Sequence, residues 1–118
     1  MTLLGPPLPT LTPLDQVLSR GLAGDPASEA LCTVEATLSW HELNQRCAVL
    51  SDRYRALGLE PGDRVASLLP NRLDAVLHVL ACLRAGLVAA PLNYRYRSPE
   101  IDHALRLSGA RLLLFHAE

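Results

Sequence analysis

Apolar residues recur at steps of three and four between Trp40 and Leu57. Trp40, Leu43, Cys47, Leu50, Tyr54 and Leu57 fall on one face of a predicted helix, and His41, Glu42, Gln45, Asp52, Arg53 and Arg55 fall on the other. Ser39 and Glu42 form an S-x-x-E capping box at its start, and Gly58 supplies the left-handed residue past its end. Glu60-Pro-Gly-Asp63 then reads as a turn, because proline presets φ and glycine accepts a positive one. Val65–Leu69 is an unbroken apolar run of strand length, bounded by turn residues, as in a strand buried on both faces. Asn71 is placed to cap a helix from Arg72 to Ala85 that is apolar almost all round, so that helix should lie between two layers; Gly86 closes it. Leu87–Leu92 is a second buried strand, Ser98-Pro99 opens a helix whose inner face is Ile101, Ala104 and Leu105, Gly109 ends it, and Arg111–His116 is a third strand.

The amino-terminal third is less regular. Residues 1–12, with Pro6, Pro7 and Pro9, read as an extended arm. Thr12 is a good N-cap for a short helix with Leu14, Val17 and Leu18 on one face, ended by Gly21. Ala30–Val34 pairs with a strand near Thr37-Leu38 in a small hairpin. The predicted fold class is therefore α/β: a helix, a small hairpin and a helix, followed by β-α-β-α-β units that form a parallel sheet with right-handed crossovers. The last strand leaves an apolar sheet edge uncovered, so the expectation is a partial domain, the incomplete amino-terminal part of something larger.

Composition narrows the chemistry. Eleven arginines against twelve acidic residues leave a net charge of -1, which gives no electrostatic footprint for nucleic acid or for an acidic membrane. All eleven cations are arginine, so a P-loop lysine, a Schiff base and a lysine clamp on a phosphate are excluded within these 118 residues. Cys32, Cys47 and Cys82 are odd in number and widely spaced, which suits neither a disulfide framework nor a zinc site and points to a reducing compartment. Neither a signal peptide nor a membrane span is legible, so a soluble, cytoplasmic protein is expected.

Parallel sheets bind ligands beyond the carboxyl ends of their strands. After Val65–Leu69 stands Pro70-Asn-Arg-Leu-Asp-Ala-Val76 rather than G-x-G-x-x-G, and no Walker A sequence occurs. Asp74, His78 and Cys82 are spaced by four on one helix, a Cys-His-Asp row on paper. Cys82 sits near the C-terminal end of that helix, where the dipole disfavours a thiolate, so a packed cysteine beside a helix-surface histidine is the better reading. His41, His103 and His116 are isolated and lack metal-ligand spacing. The segment Asn93–Arg97 alternates aromatic rings with Arg95 and Arg97 just before a helix start. Two readings stay open for it: an anion site, or a surface turn with arginines lying over tyrosine rings.

Six segments stand in order at regular intervals: Leu38-Ser-Trp-His-Glu-Leu-Asn44, Leu57-Gly-Leu-Glu-Pro-Gly-Asp-Arg-Val65, Leu69-Pro-Asn71, Ala81-Cys-Leu-Arg-Ala-Gly86, Ala90-Pro-Leu-Asn93 and Leu107-Ser-Gly-Ala-Arg111. Together they resemble the amino-terminal part of the adenylate-forming superfamily, and Pro91-Leu-Asn-Tyr-Arg-Tyr-Arg-Ser-Pro-Glu100 is most similar to acyl- and aryl-CoA synthetases. The resemblance implies an ATP- and Mg²⁺-dependent ligase. In it, a carboxylic acid attacks ATP to give an acyl-adenylate and pyrophosphate, and the thiol of coenzyme A then displaces AMP. It also implies that the phosphate loop, the adenine contacts and the C-terminal lysine lie beyond this stretch, so the 118 residues alone should be inactive and need the remainder of the enzyme or a complementing chain. One binding residue carries over. Arg95 matches the arginine that touches a coenzyme A phosphate in some aryl-CoA ligases, although Tyr94 replaces the proline often found before it. The alternatives are a stand-alone interaction module that kept the fold and lost the chemistry, and one half of a split enzyme.

Overall fold

The computed structural model describes residues 13–117. The arm 1–12, including the proposed Thr12 cap, lies outside them. A single 3₁₀ turn, Leu14–Gln16, leads into α1 (Val17–Ala23). A two-stranded antiparallel hairpin follows, β1 (Glu29–Cys32) with β2 (Thr37–Ser39). The long helix α2 (Trp40–Ala56) precedes β3 (Arg64–Leu68), α3 (Leu73–Ala85), β4 (Val88–Pro91), α4 (Ser98–Ser108) and β5 (Leu112–Phe115). Strands β4, β3 and β5 form a parallel sheet in that order, with Val65 paired to Ala89 on one side and to Leu112 on the other. The α/β class and its β-α-β-α-β order therefore match the expectation.

The capping box at Ser39 forms as expected. The Glu42 amide donates to Ser39 Oγ at 3.2 Å, and the Ser39 amide donates to the Glu42 carboxylate at 3.1 Å, which holds that carboxyl below its usual range. At the other end, Leu57 is 66% exposed, although the three–four rhythm placed it on the buried face. The helix has already ended there. Gly58 turns the chain at φ +87°, the Leu59 amide donates back to the Tyr54 carbonyl, and Leu59 enters the core in place of Leu57.

Three further expectations are corrected. Gly21 does not end α1, which runs on to Ala23 with Gly24 as its cap. Gly21 is instead a close-approach residue: a Cβ there would lie 2.1 Å from the indole ring of Trp40. Asn71 does not cap α3. The Arg72 amide donates to the Pro70 carbonyl in a tight turn, so the helix starts at Leu73 with Arg72 as its cap residue. Finally, α3 is not covered on both sides among the described residues. Leu73, Leu77, His78, Ala81, Cys82 and Ala85 are buried, whereas Val76, Leu80 and Leu83 are half-buried and Val79 faces out.

Two hydrophobic clusters make the core. Tyr54, Leu59, Val65, Ala81, Cys82, Ala85 and Leu87 join α2 and α3 to the sheet. Leu18, Leu38, Leu43, Cys47, Leu73 and Leu77 join α1 and the hairpin to the same helices. Trp40, the chain's only tryptophan, packs against the second cluster and so reports on it. Gly21→Ala is expected to displace the indole and cost about 1–3 kcal/mol by overpacking, partly offset by the roughly 1 kcal/mol better helix propensity of alanine. Urea unfolding followed by Trp40 emission measures it. A variant as stable as the parent, with an unchanged spectrum, would show that the ring has room to move.

Candidate functional site

The topology selects where a ligand can sit. Strand β3 is central, and the chain leaves it first towards β4 and later returns to its other side as β5. With right-handed crossovers, α3 and α4 lie on opposite faces, which opens a crevice beyond the carboxyl end of β3. The loops that reach it are Leu69–Arg72, Leu92–Arg97 and His116-Ala117.

The loop after β4 is held from within. The Asn93 side chain accepts from the Arg95 amide at 3.0 Å, and the Asn93 carbonyl accepts from the Tyr96 amide at 2.9 Å. The Arg95 guanidinium lies 5.6 Å from the centre of the Tyr94 ring, and its Nε donates to Tyr94 Oη at 3.4 Å. Tyr94, Arg95, Tyr96 and Arg97 are all exposed. Of the two readings of this segment, the stacked arginine is what the structure shows. The anion-site reading is narrowed to Arg95, because the Arg97 amide donates to the Glu100 carboxylate and the start of α4 is already occupied by a negative group.

Two cavities flank Phe115. The larger, about 640 Å³, lies between α2 and the ends of β3 and β5, with Val49, Leu50, Leu77 and Leu114 on its walls and Arg46 and Arg53 among its polar residues. The smaller, about 390 Å³, draws on all three strand ends through Leu68, Arg72, Tyr94, Phe115 and His116. Size alone favours the first. The second contains Tyr94, the side chain on which Arg95 rests, and it is the one at the switch of strand order. Sequence reasoning missed Arg72 and His116 because neither belongs to a motif, and only the parallel pairing brings them to one place.

The Asp74, His78 and Cys82 row does not assemble as a catalytic set. Asp74 is exposed, while His78 and Cys82 are 1% and 0% exposed. His78 is thus a core residue rather than a helix-surface one. Its Nδ1 lies 2.7 Å from Tyr54 Oη, with Cys82 Sγ at 3.8 Å, and a hydrogen bond joins the ring to the Val65 backbone. Burial lowers the His78 pKa, raises that of Tyr54, and pushes the Cys82 thiol up to about 11. A thiol so placed is a packing residue, as the sequence suggested. Buried tyrosines need a partner for their hydroxyl, and that requirement was the available signal for the Tyr54–His78 pair.

Among the described residues, no three His, Cys, Asp or Glu side chains converge as metal ligands. No described helix is long and apolar enough to cross a membrane.

Comparison with known proteins places this geometry. The AMP-binding enzyme family matches residues 18–118. A feruloyl-CoA synthase from Amycolatopsis sp. is 41% identical over 111 residues, 85% of this chain and 23% of that protein. The fatty acid–[acyl-carrier-protein] ligase ScoC of Streptomyces coeruleorubidus is 33% identical over 110 residues, 93% of this chain and 21% of that protein. Among solved structures, the O-succinylbenzoate coenzyme A synthetase MenE of Bacillus subtilis, in complex with ATP and magnesium, superposes with a TM-score of 0.79 at 29% identity, covering 85% of this chain and 27% of that one. The chain thus spans less than a quarter of the length of those two sequence relatives. A family model that matches residues 18–118 and a feruloyl-CoA synthase 41% identical to the chain leave one assignment: this chain belongs to the AMP-binding enzyme family, on the side of the acyl- and aryl-CoA synthetases.

Proposed function

We propose that these residues form the amino-terminal α/β portion of an AMP-forming acid–thiol ligase, one that activates a carboxylic acid as its acyl-adenylate and passes the acyl group to coenzyme A. The observation that carries this reading is the 41% identity to a feruloyl-CoA synthase across nearly the whole described chain. ATP and Mg²⁺ supply the adenylation chemistry, and their binding groups belong to the remainder of the same enzyme or to a complementing chain. The contribution of this portion is scaffold plus one charged contact. Arg95, held by Tyr94 and Asn93 at the carboxyl end of β4, meets a phosphate of coenzyme A. The working compartment is the cytoplasm, and nucleic acid is not a partner.

The Arg95 assignment separates the two half-reactions. In the full-length ligase, Arg95→Ala is expected to raise KM for coenzyme A about ten- to a hundredfold, through loss of a charged hydrogen bond of about 1.5–3 kcal/mol. ATP–pyrophosphate exchange, which precedes acceptor binding, should stay at the parental rate. An equal fall in both would make Arg95 a structural residue. The similarity to ScoC supports a second reading, in which the acceptor is a carrier-protein thiol. A carrier protein brings no nucleotide phosphate to this loop, so under that reading Arg95→Ala leaves thioester formation unchanged.

A further inference from the structure

We propose that the larger groove, between α2 and the ends of β3 and β5, is a separate ligand site. Its occupant is a small amphipathic anion, an apolar body that carries one anionic head. This site owes nothing to the ligase reading or to Arg95, since none of its walls belongs to the loop after β4.

Volume and exposed surface set the size and the body of that ligand. At about 640 Å³ the groove lies within the range of small-molecule pockets. Val49 and Phe115 stand on its walls yet remain 53% and 61% exposed, beside the half-buried Leu50 and Leu114. Apolar surface left wet in a concave setting is covered favourably by a body that brings no polar atoms of its own.

Charge sets the sign of the head. Arg46 and Arg53 line the groove from one side of α2, with Val49 between them. Seven residues make two helical turns, so the two stand about 10.5 Å apart along the axis. Other arginines of the chain are already engaged: Arg55 donates to Asp52 at 3.3 Å, Arg64 to the Ser108 carbonyl at 2.6 Å, and Arg84 to Asn44 at 2.7 Å. Among the described residues, the guanidinium groups of Arg46 and Arg53 have no such acceptor, and no carboxylate lies within 4.0 Å of either. Glu42, one turn before Arg46, gives its carboxylate to the Ser39 amide instead. The groove's own acid, Asp74, sits in the first turn of α3, where the helix N-terminus balances its charge. Gln45 and His116 complete the polar edge. A neutral apolar molecule would leave both arginines unanswered, and a small polar anion would leave the apolar wall in water. Only a ligand with both parts satisfies both sets of residues.

The test uses the 118-residue chain and four probes: naphthalene-2-sulfonate, 2-naphthoate, 2-naphthylmethylammonium and methanesulfonate. Binding is followed by NMR of the valine and leucine methyl groups and the arginine Nε–H signals, with the Trp40 indole N–H as the check on folding. Naphthalene-2-sulfonate is expected to shift Val49, Leu77, Leu114, Arg46 and Arg53. It should bind about tenfold more tightly than methanesulfonate, which lacks the body, and than the ammonium probe, which reverses the charge. The naphthoate should bind within about threefold of the sulfonate, because the rim reads charge rather than a carboxyl group. Arg46→Gln and Arg53→Gln should each weaken the sulfonate about threefold and together about tenfold, whereas Arg106→Gln on the exposed side of α4 should change nothing. Equal binding of the ammonium probe would overturn the proposal, as would a double variant that binds as the parent does. Binding of the naphthoate alone would overturn it too, since the groove would then be a subsite for the acid that the ligase activates. Failure of the ligase reading is a different result, an absence of ATP–pyrophosphate exchange in the longer protein, and it would leave this site untouched.

Discussion

Replacing His78 with alanine is expected to lower the unfolding free energy by about 3–5 kcal/mol, a large part of the roughly 5–15 kcal/mol typical of a domain. The imidazole is buried where α2, α3 and β3 meet. Its removal leaves a cavity, an orphaned Tyr54 hydroxyl and an unpaired ring partner at Val65. Tyr54→Phe removes one bond of the pair and should cost about 1–2 kcal/mol. A double-mutant cycle between the two positions should give a coupling of about 1 kcal/mol or more, since the residues share one hydrogen bond.

The same burial makes His78 a source of acid sensitivity. Its pKa is lowered in the folded chain and returns to about 6.5 on unfolding. Below that value the unfolded state binds a proton that the folded state refuses, so stability falls as pH drops from about 6.5 towards the folded value. The slope approaches about 1.4 kcal/mol per pH unit, and there is no contribution above the unfolded value. Urea titrations at pH 7.5 and pH 5 on the parent and on His78→Asn measure it. The asparagine variant should lose most of the difference. An equal loss in both would assign the acid sensitivity to other groups.

The regular elements were legible because local and tertiary preferences agree there. Ser39, Glu42, Gly58, Gly86 and Gly109 mark helix ends that the structure keeps, and three apolar runs became three parallel strands. The errors arose where a contact far along the chain decided the matter. Gly21 looked like a terminator because sequence alone cannot show Trp40 lying on it. Leu57 continued the helical rhythm after the backbone had already turned towards Leu59. His78 looked like a surface group because a single polar residue on an apolar helix does not announce a partner 24 positions away. The candidate site was legible in the loop that carries Arg95. It was not legible in Arg72 or His116, which reach it only through the order of the strands.

Val79→Glu should have almost no effect on the 118-residue chain and a large one on the longer ligase proposed above. Val79 is 37% exposed on the outer side of α3, beside the half-buried Val76, Leu80 and Leu83, and an apolar hollow of about 550 Å³ runs from there to Leu31 on the hairpin. A helix apolar on this side as well as on its buried side is built to be covered twice. In the short chain the new carboxylate stays in water, so stability should move by no more than about 0.5 kcal/mol. In the full-length protein, a second layer over α3 would bury that charge without a partner, at a cost of several kcal/mol, and folded yield and pyrophosphate exchange should collapse together. His41→Glu, on the exposed face of α2, is the control expected to be silent in both proteins. If Val79→Glu proved silent in the full-length protein too, the outer face of α3 would be a solvent surface, and the apolar hollow beside it would have to be explained by something other than the ligase's own second layer.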